Sequence, residues 1–216
     1  MTGTARKATA EALATFLFVL SIIGAVNSGS PLTPLAIGFA LVVLIFATGH
    51  ISGAHLNPAV SVGVFLRGGM GVADLICYVV AQAIGAVLAA LVSAVWWAPE
   101  KTAVVVQVGP AFLVEAIFTF FLVYVVLNVA TAKGTAGNSF YGLAIGGVVF
   151  VGAATVGSIS GGGFNPAVAL GLSVSGHFAW SSLWLYVAAP IAGGVLAALA
   201  FRLLNVDDAK KIATAE

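Results

Sequence analysis

Apolar residues collect along this chain into long blocks separated by short polar or glycine-containing connections. Six blocks, at about 8–26, 34–50, 73–97, 111–132, 139–158 and 181–204, are each long enough as a helix to cross a hydrocarbon core about 30 Å thick, which takes roughly 20 residues. Two more, at about 57–67 and 165–175, fall short, because ten helical residues reach only about 15 Å. They are predicted as re-entrant half-helices. The pattern therefore predicts an all-α integral membrane protein with six transmembrane helices and two half-helices. No connection is long enough to hold a separate soluble domain, so residues 1–216 are read as one domain.

Composition makes lipid the solvent. Of 216 residues, 61% are hydrophobic and 7% are charged, against about 25% charged in a soluble domain. Too little polar surface remains to face water on all sides, so the partner is a lipid bilayer. A net charge of +1 offers no basic face to nucleic acid. The one cysteine, Cys77, excludes an internal disulfide and a cysteine-based metal site, and it reads as a small apolar filler. No metal-ligand spacing and no nucleophile–base pair stands out, so neither enzyme activity, a metal nor a cofactor is expected.

With six spans, Arg6, Lys7, Arg67, Lys133, Arg202, Lys210 and Lys211 fall on one side and Lys101 alone on the other. Such an excess marks the cytoplasmic side and predicts that both termini lie in the cytoplasm, the membrane being the plasma (cell inner) membrane. Trp96, Trp97, Trp180 and Trp184 lie near span ends on the opposite side, where an aromatic belt is expected. Arg6 and Lys7 before an apolar run also fit a signal peptide. Glu11 interrupts that run, and the segment has a counterpart deep in the chain, so a retained helix is predicted.

That counterpart belongs to an internal duplication. A shift of 108 residues lays Leu35-Ala36-Ile37-Gly38 on Leu143-Ala144-Ile145-Gly146, Ser52-Gly53 on Ser160-Gly161, and Asn57-Pro58-Ala59-Val60 on Asn165-Pro166-Ala167-Val168. Further on, YVVAQAIGAVLAA from Tyr78 overlays YVAAPIAGGVLAA from Tyr186, with eight of thirteen positions identical. In the first spans the shift is 104, and Glu11-x3-Thr15-Phe16 matches Glu115-x3-Thr119-Phe120. The halves run over approximately 1–98 and 110–206, followed by a short tail, 207–216. Each half holds three spans, an odd number, so the two enter the membrane with opposite orientation. Inverted repeats place a functional site at their interface near the midplane.

Asn-Pro reads as a helix N-cap followed by the first helical residue. The asparagine oxygen can accept a backbone N–H, and proline lacks the N–H that would go unpaired there. Each motif follows an irregular segment, residues 50–56 and 158–164. Non-helical backbone at membrane depth is tolerated only inside protein or along a water-filled cavity. Two half-helices entering from opposite faces would meet N-terminus to N-terminus. The amides of Asn57 and Asn165 would then donate hydrogen bonds at mid-channel, and the two positive dipole ends would disfavour cations.

These residues, GHISGAHLNPAV, GGFNPAV and the paired Glu-x3-Thr-Phe, resemble the aquaporin, or major intrinsic protein, family throughout the chain. The resemblance implies six tilted helices plus two half-helices, a pore in each subunit, and a homotetramer. It implies pore motifs at Asn57, Pro58, Ala59, Asn165, Pro166 and Ala167. Glu11 and Glu115 are expected to hold the two irregular loops through backbone N–H groups; a proton relay is the alternative for such intramembrane carboxylates. His55 corresponds to the pore-lining position on the cytoplasmic side, and His50 is expected to brace the loop, with pH sensing open to either. Gln82 is assigned to helix packing, and Asp74 and His177 to the surface or the interface.

The sequence leaves the family pattern at the narrowest point. Registration on the family places the selectivity filter at Ile37, Ala153, Gly162 and Val168. Water-selective members carry arginine directly after the second Asn-Pro-Ala and rings at the first two positions; here all four are apolar or glycine. Losing a guanidinium removes five donors and a charge. A similar valine occurs in plant vacuolar-type members. The glycerol-facilitator branch has Asn-Pro-Ala-Arg-Asp, against which Ala169 argues. The expectation is a passive channel for water and small uncharged solutes, with urea, ammonia, hydrogen peroxide and glycerol as candidates. A coupled secondary transporter and a closed structural or junction protein are the alternatives.

Overall fold

A computed structural model describes residues 3–98 and 103–209. Lys101, Lys210 and Lys211 lie outside the described residues. Six long helices carry the apolar blocks: α1 (Gly3–Asn27), α2 (Thr33–Ser52), α4 (Val72–Ser93), α5 (Val108–Thr131), α6 (Tyr141–Ser160) and α8 (Leu183–Leu204). Each is long and apolar enough to cross a membrane. Two short helices, α3 (Pro58–Arg67) and α7 (Pro166–Val174), begin at the prolines of the repeated motif, and a four-residue turn of helix, α9 (Val206–Ala209), follows α8.

The expected boundaries shift at several places. α1 starts at Gly3 rather than near residue 8. The span read to residue 97 stops at Ser93, and Trp96 and Trp97 lie in the turns that follow. α2 and α6 also outlast the expected spans by two residues each. They run to Ser52 and Ser160, where Gly53 and Gly161 adopt left-handed φ of 88° and 85° and cap the preceding carbonyls. Glycine supplies that conformation without a Cβ penalty, so it sets where each irregular loop begins.

Packing follows the duplication. α1 lies against α4 and α5 against α8, while α2 and α6 cross at the centre. α3 packs on α8 and α7 on α4, so each half-helix rests on the last long helix of the other half. In both outer pairs a glycine lets backbones meet: Gly85 faces Ala12 and Phe16, and Gly193 faces Ala116 and Phe120. Small residues at such crossings are how membrane helices gain contact where lipid provides no hydrophobic drive. Outward positions such as Leu13, Ile76, Ile117 and Leu196 are exposed and apolar, as lipid requires.

One face carries the start of α1 and the ends of α3, α5 and α8. Four of its cations are tied down there, Lys7, Arg67, Lys133 and Arg202. Lys7 pairs with Asp74 at 3.4 Å, Arg67 donates to Thr131, and Arg202 donates to the Leu66 carbonyl. Asp208 of α9 lies 3.7 Å from Arg67 and 4.0 Å from Lys133. Trp96, Trp180 and Trp184 are exposed near the opposite face.

Candidate functional site

A cavity of about 670 Å³ extends between the halves and is lined by both irregular loops and by all four residues of the expected filter. The loops share an unusual backbone. In the first, Gly53, Ala54 and Leu56 have φ of 88°, 50° and 50°; in the second, Gly161, Gly162 and Phe164 have 85°, 69° and 47°. Left-handed backbone costs roughly 1–2 kcal/mol at a residue with a Cβ, so Ala54, Leu56 and Phe164 stay there only because their surroundings hold them.

Buried carboxylates do the holding. Glu11, fully buried in α1, accepts from Ser52 Oγ at 2.6 Å, the backbone N–H of His55 at 3.0 Å and of Leu56 at 2.7 Å, and Gln82 Nε2 at 2.9 Å. Glu115, fully buried in α5, accepts from Ser160 Oγ at 2.6 Å and from the N–H groups of Gly163 and Phe164 at 2.9 and 2.6 Å. Tyr78 and Tyr186 donate to the carbonyls of Ser52 and Ser160 at 2.6 and 2.5 Å. With the N–H groups drawn toward the carboxylates, the carbonyls of residues 53–55 and 161–163 accept no hydrogen bond among the described residues. They remain available to whatever occupies the cavity.

Asn57 and Asn165 meet at the centre. Each caps its helix: Asn57 Oδ1 accepts the Ala59 N–H at 2.8 Å, and Asn165 Oδ1 accepts the Ala167 N–H at 2.9 Å. Each also reaches across the pseudo-symmetry. Asn57 Nδ2 donates to the Phe164 carbonyl at 2.9 Å and Asn165 Nδ2 to the Leu56 carbonyl at 2.8 Å. An amide nitrogen has two hydrogens, so one of each pair joins the loops and the other is left for the cavity. The N-terminal ends of α3 and α7 thus face each other, and their positive dipole ends converge.

Of the positions expected to form the filter, Ile37 stands on α2, Ala153 on α6, Gly162 in the second loop and Val168 in the first turn of α7, where it is 3% exposed. None brings a ring or a charge. His55 lines the cavity on the side of the chain's N-terminus, its ring edge-on to Tyr78 with centroids 5.1 Å apart.

Four expectations need correction. His50 does not brace the loop among the described residues: it sits inside α2, exposed at the cavity wall, and Glu11, Ser52 and Tyr78 already satisfy the loop. Gln82 is no mere packing residue, because it links Glu11 to Ser61 Oγ, at 3.1 Å. His177 is buried, bonded to Asn27 and Ser175, and its carbonyl accepts the Val104 N–H at 2.8 Å. Cys77 is exposed on α4 instead of filling the core. Ser61 and the serines before each loop, Ser52 and Ser160, also take part, though the sequence alone gives them no role. The Ser-Gly pairs shared by both halves were the signal.

Residues 2–201 match the protein family described as Major intrinsic protein. The glycerol uptake facilitator protein-like 6 of Lactiplantibacillus plantarum is 35% identical, over 94% of this chain and 100% of its own. A probable aquaporin TIP-type of Medicago truncatula is 34% identical, over 94% and 88%. The solved aquaglyceroporin of Plasmodium falciparum shares the fold with a TM-score of 0.79 and 24% identity, over 92% of this chain and 95% of that one. The chain belongs to the major intrinsic protein family, and it is a passive membrane channel for water and small neutral solutes.

Proposed function

We propose that the channel passes water together with uncharged molecules as large as urea and glycerol, ammonia and hydrogen peroxide included, through a filter formed by Ile37, Ala153, Gly162 and Val168. The observation that carries this reading is the absence of any ring or charged group among these four cavity-lining residues. A guanidinium at position 168 would narrow the passage and supply fixed donors. Valine does neither, so a solute meets apolar side chains on one hand and loop carbonyls on the other. The likeness to a glycerol uptake facilitator and to a TIP-type aquaporin supports a range wider than water.

Discrimination against ions then falls to the centre. The free amide hydrogens of Asn57 and Asn165 and the paired positive helix ends repel cations and orient a water molecule with its hydrogens outward. Pro58, Ala59, Pro166 and Ala167 complete the turns that aim them, Glu11 and Glu115 act as scaffolds, and His55 lines the wall. Residues 1–216 act as one channel domain with halves near 1–98 and 110–206. It assembles as a homotetramer in the plasma membrane, with both termini in the cytoplasm. The cluster of cations on the face of the N-terminus supports that orientation.

The test is solute uptake by purified protein in sealed vesicles. Wild-type protein should conduct water and urea without a gradient of any ion, and Val168→Arg should depress urea more than water. An unchanged urea-to-water ratio in Val168→Arg would remove Val168 from the filter. Saturable flux that needs an ion gradient would favour a coupled transporter instead, and no flux of any neutral solute would favour a closed structural protein.

A further inference from the structure

The two halves put the same backbone around the centre of the cavity but different side chains behind it. In the first half a continuous set of close polar contacts leads from the cavity wall into the protein. His55 Nδ1 lies 3.1 Å from Ser61 Oγ, which lies 3.2 Å from the Asn57 carbonyl oxygen and 3.1 Å from Gln82 Nε2. Gln82 Nε2 in turn lies 2.9 Å from Glu11 Oε2. In the second half the corresponding positions are Gly163, Ala169 and Pro190, and the set is missing.

Counting hydrogens fixes the direction of these bonds. The Asn57 carbonyl can only accept, and Gln82 must present its nitrogen to the Glu11 carboxylate, so Gln82 can only donate to Ser61. A hydroxyl has one hydrogen and two acceptor sites. The one assignment that puts a hydrogen into all three contacts of Ser61 Oγ has the hydroxyl donate to Asn57 and accept from both Gln82 and His55. His55 Nδ1 therefore carries a hydrogen, and in the neutral ring Nε2 carries a lone pair. No donor reaches Nε2 among the described residues. Ser61 and Gln82 are fully buried, while His55 is partly exposed at the cavity.

We infer that Ser61 and Gln82 lock His55 in the Nδ1–H tautomer, so that Nε2 is a fixed hydrogen-bond acceptor for the N–H or O–H groups of permeating molecules, on one side of the central asparagine pair only. This rests on the solute range proposed above. A molecule leaving the donor amides of Asn57 and Asn165 meets a side-chain acceptor toward the N-terminal face and none from the matching Gly163. Molecules bearing donors, such as urea or glycerol, gain a partner there that acceptor-only molecules cannot use. Ser61 and Gln82 are positioning residues in this scheme.

Nitrogen-15 spectra of histidine-labelled protein in lipid bilayers test it directly. At neutral pH the His55 signals should show hydrogen on Nδ1 and a bare Nε2 that shifts on addition of urea. Ser61→Ala is tolerable in packing terms, since the matching helix carries Ala169. It should release the lock, bring an Nε2–H population into view, and lower urea permeability about two- to tenfold, the range of one net hydrogen bond. A protonated Nε2 in the wild type overturns the inference. So do tautomer populations and a urea permeability that Ser61→Ala leaves unchanged. Wild-type protein that shows the Nδ1–H pattern yet passes no urea would sustain the lock and refute the solute range.

Discussion

Replacing Glu11 and, separately, Glu115 by alanine gives a graded test of the loop scaffold. Each truncation strips the acceptor from two backbone N–H groups, those of His55 and Leu56 or of Gly163 and Phe164. A donor left unpaired in a buried site costs about 1–3 kcal/mol, so each variant should lose about 2–6 kcal/mol. The cavity beside the loops lets water replace part of this, which favours the lower end. What separates the two is Gln82. In Glu11→Ala its Nε2 loses the carboxylate as well, which adds about 1–3 kcal/mol that Glu115→Ala does not incur, because Pro190 occupies the matching position. The assay is the fraction of monodisperse protein surviving a heating series in one detergent, followed by water flux of reconstituted survivors. The expected order of stability is wild type, Glu115→Ala, Glu11→Ala. A variant that survives and conducts like the wild type would show that the loops hold their left-handed backbone without the carboxylates. The reverse order would remove Gln82 from the network.

Three further outcomes follow from packing and charge. A Cβ added at Gly38 would sit 2.7 Å from Phe150 Cβ and 2.8 Å from the Gly146 carbonyl, so Gly38→Leu should push α2 off α6 and lower thermal stability by about 1–3 kcal/mol or more; an unchanged melting temperature would contradict so close a crossing. Arg67 joins the end of α3 to Thr131, lies near Asp208 and sits over the Phe201 ring, so Arg67→Ala should destabilise by about 1.5–3 kcal/mol, and a loss below about 1 kcal/mol in the same heating series would show that the cluster is solvated. Cys77 is exposed and outside the cavity, so mercurials should label it without reducing water flux; strong block that disappears in Cys77→Ser would refute that placement.

The parts of this architecture that lipid dictates were legible in the sequence. A hydrocarbon core demands long apolar helices, and Asn-Pro names the first turn of a half-helix wherever it stands, so α3 and α7 begin where the motif says. Helix ends were less legible because apolar composition continues past them. Trp96 and Trp97 are as hydrophobic as a span, and only the turns after Ser93 separate them from α4. The glycine-containing stretches suggest irregular loops from residues 50 and 158. α2 and α6 in fact persist to Ser52 and Ser160, and Gly53 and Gly161 end them by turning left-handed. His50 therefore belongs to the last turn of α2 and not to the loop. The role of Gln82 is hidden in the sequence for a different reason. Its partner Glu11 is 71 residues away, and only the register of α1 against α4 brings the two within 2.9 Å.

The duplication itself separates scaffold from specificity. Positions that match between the halves, namely Glu11 with Glu115, Ser52 with Ser160, Tyr78 with Tyr186 and Asn57 with Asn165, all form bonds that shape or join the two loops. A pseudo-symmetric backbone requires the same bonds twice, so divergence there would leave buried polar groups unpaired in one half. Positions that differ carry no such constraint. His55 against Gly163, Ser61 against Ala169 and Gln82 against Pro190 diverge together, as members of one hydrogen-bonded set. The cavity is therefore symmetric in its carbonyls and asparagines and asymmetric in its side-chain acceptor. A molecule crossing it meets the same loop backbone on both sides of the asparagine pair but His55 on one side only, so a difference between the two loops in what they offer that molecule comes from His55.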